Sequence, residues 1–111
     1  MIVFGQTITI AVKFGKNGVA FDPLAFHDVL IMDPMGNVKA TLTPAQVAPG
    51  EYQVSYTIPA LGPAGVWSHN WDYQAKVGMA YHSFYYTFTV DGSMMPPHST
   101  AFIGPHSEEI Q

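Results

Sequence analysis

Five histidines are the residues of this sequence best suited to chemistry: His27, His69, His82, His98 and His106. Imidazole titrates near neutrality and is the commonest protein ligand for zinc and copper. His69 and His82 flank a short Gly78-bearing segment that can close a hairpin, and folding about residues 75–76 would set the two rings opposite each other. With Asp72 or His27 added, such a pair could hold Zn²⁺ or Cu²⁺. A closed structural zinc site takes four ligands, however, and no tightly spaced ligand motif is present. The preferred reading is two half-buried, hydrogen-bonded imidazoles, with no metal and no other cofactor. His98 and His106 fall in the C-terminal segment, where solvation is the simpler expectation.

Other catalytic constellations fare worse. Ser68, His69 and Asp72 have the residue types of a hydrolytic triad, but adjacent residues of a strand face opposite ways, so Ser68 and His69 cannot act as nucleophile and base. Asp22, Asp28 and Asp33 sit around turns or strand ends, where Asp caps and turns rather than forming a glycosidase pair. No phosphate-binding loop or dinucleotide fingerprint appears. The expectation is a protein that is not an enzyme.

Aromatic side chains offer binding instead. Trp67, Trp71, Tyr73, Tyr81 and Tyr85 could form a platform for sugar rings. Alternation nevertheless places Trp67 and Trp71 on one face, and a sandwich of this size needs large inward aromatics. With the Trp face inward, Tyr81 and Tyr85 are left outside, and an exposed Tyr stripe suits a protein partner.

The elements that must position these residues are short strands. Gly65 to Tyr73 and Tyr81 to Val90 form the aromatic centre, two strands joined as a hairpin. Upstream, Gln6 to Phe14 alternates with Ile8, Ile10, Val12 and Phe14 on one face. Gly15-Lys16-Asn17-Gly18 is a turn, followed by a short strand at Val19-Ala20-Phe21. His27 to Met32 is an apolar run that stops at the Asp33-Pro34-Met35-Gly36-Asn37 turn. Val38 to Thr43 reads as its hairpin partner, and Pro44 to Gly50 as a connection. Glu51 to Ile58 alternates again, with Tyr52, Val54, Tyr56 and Ile58 inward. About seven regularly spaced strands and no amphipathic helix indicate an all-β, antiparallel β-sandwich. None of these strands contains a proline, as a paired strand requires.

After Val90 the pattern breaks. The expected division is a sandwich domain over residues 1–92 and an extended C-terminal tail over residues 93–111. That tail repeats Pro-His-Ser at 97–99 and 105–107 around a lone apolar cluster, Ala101-Phe102-Ile103. Phe102 and Ile103 are its candidate docking residues, beside Tyr81 and Tyr85 on the domain.

Composition narrows the partners. The 111 residues are 48% hydrophobic and 11% charged, with no cysteine and therefore no disulfide or thiolate metal site. Four lysines, no arginine and a net charge of −4 speak against nucleic acid and anionic membrane surfaces. No stretch approaches the roughly 18 apolar residues of a membrane span, and the first residues lack the basic start and apolar core of a secretory leader. Residence in a reducing cytoplasm is the simplest expectation.

Several turn and core motifs occur in a characteristic order: Phe4-Gly5 before the first long strand, Asp33-Pro34-x-Gly36, Pro49-Gly50-x-Tyr52 leading to Tyr56, Gly65-x-Trp67, and a closing Phe88-Thr89-Val90. Over about residues 4–91 this resembles the small immunoglobulin-like β-sandwich proteins of tailed-phage virion gene clusters near the head–tail connection. It is similar also to broader macroglobulin-like and bacterial immunoglobulin-like domains. The resemblance implies an immunoglobulin-like fold and a structural role in a virion assembled in the host cytoplasm. Its implied partners are portal, adaptor, capsid or tail components, with possible oligomers within the assembly. The alternative is a carbohydrate- or cell-surface-binding module.

Overall fold

Alternation of apolar and polar residues builds both layers of this protein. The computed structural model describes residues 2–94 and 100–110. The first sheet contains β1 (Ile2–Phe4), β4 (Ala25–Phe26), β5 (Val29–Met32), β6 (Val38–Leu42), β9 (Gly65–Gln74) and β10 (His82–Met94). Its order is β1-β10-β9-β5-β6, with β4 also on β9. The second sheet contains β2 (Thr7–Lys16), β3 (Val19–Ala20), β7 (Ala45–Ala48), β8 (Glu51–Thr57) and β11 (Thr100–Glu109). Its order is β11-β2-β8-β7, with β3 also on β2. Two packed sheets make an all-β sandwich.

The inward rows are those that period-2 reading selects. Ile8, Ile10, Val12 and Phe14 of β2 meet Val29 and Ile31 of β5, and Trp67 and Trp71 of β9, in one buried cluster. Both indoles are fully enclosed, so the Trp face is the core face. Trp67 Nε1–H donates to the Pro63 carbonyl at 2.9 Å, which satisfies a polar group that burial would otherwise leave unpaired. Truncating either indole would cost about 3–5 kcal/mol. Turn chemistry agrees with the pattern. Asn17 and Gly18 both take positive φ in the β2–β3 turn. Asp33 accepts from the backbone N–H groups of Met35 and Asn37, each at 2.9 Å, and caps the β5–β6 turn.

The chain crosses from the first sheet to the second between β1 and β2. β1 runs parallel to β10 in the first sheet, and β2 then runs parallel to β11 in the second. At the crossing Gly5 takes φ 78°, and the side chain of Gln6 accepts from Val3 N–H at 3.1 Å.

The C-terminal segment departs from the expected tail. Thr100 to Glu109 is a strand of the sandwich, paired along β2 from Thr100 opposite Thr7 to Glu109 opposite Gly15. Ile110, just beyond it, is buried in the core. The register slips between Ile103 and His106, and Pro105 sits in that slip, where no ladder hydrogen bond is required of it. The first Pro-His-Ser repeat, with His98, lies outside the described residues. The connection expected from Pro44 to Gly50 also contains a short edge strand, β7.

Candidate functional site

The outer face of β5, β9 and β10 carries an open groove of about 480 Å³. Alternation turns Asn70 and Asp72 of β9 outward, and Ser83 and Tyr85 of β10 face them across the ladder. Leu30 of β5, opposite Asn70, adds an apolar wall. Tyr85 is 66% exposed, although its neighbour Phe84 packs on the core and Tyr86 stacks on His69 and His106.

Asp72 organises the rim. Its Oδ1 accepts from the Ser83 hydroxyl at 2.8 Å, and its Oδ2 lies 2.5 Å from Nδ1 of His27. The His27 N–H of the backbone also donates to the Asp72 carbonyl at 2.9 Å, tying the start of β5 to β9. The imidazole of His27 lies flat on the ring of Tyr81, 3.9 Å between centroids and 5° between planes. Residue types resemble those of a hydrolytic triad, but the order is wrong: the carboxylate, not the imidazole, stands between the other two groups. A nucleophile needs the base beside it. This geometry instead links Ser83, Asp72 and His27 along the rim.

The interior holds a second histidine cluster. His69 is buried on the inner face of β9, and Trp71 Nε1–H donates to its Nδ1 at 2.8 Å. A neutral His69 therefore carries its proton on Nε2. That Nε2 is buried with no hydrogen-bond partner, and so is Nε2 of His106 on β11. The two rings lie 5.2 Å apart, and His106 stacks on Tyr86 at 3.9 Å. Burial pushes His69 down to about 3, with the neighbouring His106 adding to the effect. Burial lowers His106 too. Close by, burial pushes Tyr73 up to about 12, helped by the charge of Glu108 and its hydrogen bond at 3.2 Å.

The facing of His69 and His82 is corrected by the hairpin register. Tyr73 pairs with His82, and His69 with Tyr86. The hairpin thus centres between residues 77 and 78, two positions later than a turn about 75–76 would place it. His82 instead approaches Glu108, with Nε2 to Oε2 at 3.5 Å. His106, expected to be solvated, is the actual neighbour of His69. Among the described residues no group of three His, Asp or Glu side chains is arranged to hold a metal ion.

The four expected interface residues divide between two surfaces. Tyr81 and Tyr85 share the rim and groove of the first sheet. Phe102 is 56% exposed on the second sheet, while Ile103 turns in to pack against the core. Ile103 is thus a core contact and not a free docking residue. Ser83 escaped the reading of the sequence, although alternation with Tyr85 put it on the same outward row.

No protein-family model matches this chain, and no curated protein sequence matches it either. The functional reading rests on the residues and their arrangement.

Proposed function

We propose that this protein is a non-enzymatic assembly module that docks through the outer groove of the β5–β9–β10 face. The observation that carries this reading is Tyr85, a large and well-exposed side chain standing in a groove whose rim is linked by the His27–Asp72–Ser83 contacts. Preorganised tyrosines in concave, mostly apolar surroundings are typical anchors of protein interfaces. The shared carboxylate supports a structural use of Ser83 and His27, since neither is held as a nucleophile–base pair. The motif order of the sequence suggests the setting: an immunoglobulin-like component of a tailed-phage virion, at the head–tail region or particle surface. Repetition in a symmetric particle would let individually weak contacts add up.

A second reading is favoured by the same groove. An exposed Tyr beside an amide and a carboxylate is also the chemistry that stacks and hydrogen-bonds a sugar ring, and a volume near 480 Å³ lies in the range of small-ligand sites.

Assembly in the source virion separates the two. Particles made with the wild-type chain are expected to retain it at a fixed copy number by quantitative mass spectrometry. A folded Tyr85→Ala variant should be lost from them. Equal incorporation of that variant would overturn the docking face. A glycan-array ligand whose binding disappears in Tyr85→Ala would establish the sugar reading instead.

A further inference from the structure

The last strand closes the sandwich over two imidazole nitrogens that nothing satisfies. β11 is an edge strand, bonded to β2 on one side only. Its inward row brings His106 against His69 of the opposite sheet, and Nε2 of each ring is shielded from water without a hydrogen-bond partner. Tyr86 clasps the same point, stacking on His106 and donating from its hydroxyl to the Ser107 carbonyl at 3.0 Å.

The surroundings offer a cation little. β2 contributes Val12, opposite His106, and β5 contributes Ile31, opposite His69. β9 contributes Trp71 and Tyr73, and β10 contributes Tyr86, Phe88 and, farther out, His82. The carboxylate on this side is Glu108, already engaged by Tyr73 and His82. A proton can enter neutral His69 only at Nδ1, because Nε2 already carries one. There it would displace the Trp71 hydrogen bond and set two N–H groups against each other. A proton on His106 would put charge beside a second buried imidazole.

We propose that the His69–His106 pair is an acid-operated latch whose protonation releases β11 from β2 while the rest of the sandwich stays folded. The closed strand requires both rings neutral, and the open strand exposes them to water. Opening takes up protons and is favoured as pH falls below the ordinary histidine value of about 6.5, by up to about tenfold per pH unit for each ring. The lowered affinity of both rings for protons in the closed state runs in the same direction.

Hydrogen exchange resolved by segment, with rates corrected for their intrinsic pH dependence, tests the latch between pH 7 and pH 4.5. Amides of 100–110 are expected to lose at least tenfold in protection while those of β8 and β9 keep theirs. His106→Phe, which can stack on Tyr86 but cannot be charged, should leave only the His69 share of the acid release, so that its pH slope falls to about half. If that variant fails to fold, His106→Gln takes its place and should show the same reduced slope. Simultaneous loss of protection in β8, β9 and β11 would overturn the proposal, as would an acid release whose pH slope is unchanged in the His106 variants. An unchanged slope there that disappears in Glu108→Gln would assign the switch to the carboxylate and also overturn it.

Discussion

The indole N–H of Trp71 donates to Nδ1 of His69, 2.8 Å away and two residues earlier on the same inward row. A metal-bound imidazole normally donates from its second nitrogen. Here the second nitrogen accepts, and the proton is held on the atom that would have to bind the metal. We expect EDTA to leave the thermal midpoint unchanged, and nitrogen NMR to show the Nε2–H tautomer of His69. One equivalent of zinc surviving dialysis would contradict both.

The same burial makes stability depend on pH. His69 is depressed to about 3 in the fold against the ordinary histidine value of 6.5, so below pH 6.5 the unfolded chain binds a proton that the native chain refuses. Stability is fully present above pH 6.5 and declines as pH falls, by about 1.4 kcal/mol per unit for this ring. Urea unfolding at pH 7 and pH 5 should differ by about 2 kcal/mol from His69 alone. Equal stabilities at the two pH values would mean that the buried ring accepts its proton without cost.

Asp33 adds a loss at lower pH. Burial acts to raise its pKa, but the hydrogen bonds from Asn37 and Met35, with Lys39 nearby, outweigh burial and hold it below the ordinary carboxylate value. Its contribution is present above that value and disappears as pH falls through the lowered one. Asp33→Asn should therefore flatten the acid limb of the stability profile, and an unchanged limb would remove Asp33 from the account.

The C-terminal strand should add measurably to stability. Ile110 is buried and Ile103 packs on the core, so Ile110→Ala is expected to cost about 2–4 kcal/mol by chemical denaturation. Deleting residues 100–111 would uncover the whole edge of β2 and cost more. A truncated protein with wild-type stability would show that β11 does not contribute to the native fold.

Gly50 tests the loop that joins β7 to β8. Its φ is +74°, its N–H donates to Asp22 Oδ1 at 2.6 Å, and an added Cβ would lie 2.6 Å from the Phe14 carbonyl oxygen. Gly50→Ala should destabilise by about 1–3 kcal/mol, since both the dihedral and the contact oppose it. A neutral substitution would mean that the loop relaxes freely. At the outer groove the expectation is opposite: Tyr85→Ala should change stability by no more than about 0.5 kcal/mol, because the side chain is exposed. A larger loss by urea unfolding would make Tyr85 part of the fold.

Local pattern alone was sufficient for much of this protein. Alternation in Ile8-to-Phe14, Tyr52-to-Ile58 and Trp67-to-Tyr73 named the strands and their buried rows, because a strand turns successive side chains to opposite faces whatever it pairs with. The outward position of Tyr81 and Tyr85 followed once the indoles were assigned to the core. The Asp33 turn was legible for the same reason: Asp, Pro and Gly carry their conformational preferences with them.

Pairing was decided by the tertiary structure. β11 carries Pro105, and its inward row includes His106 and Glu108, so it lacks the apolar alternation that marks a strand. It becomes one by lying parallel to β2, more than ninety residues earlier, which supplies the hydrogen bonds and the apolar partners. Register acted likewise on the site. A two-residue displacement of the hairpin centre moved His82 away from His69 and left that place to His106, while Asp72 met Ser83 and His27 on the other face. Side-chain direction is a property of one strand and can be read along it. Which side chains face one another depends on how separate strands slide and close, and that is fixed only when the two sheets pack.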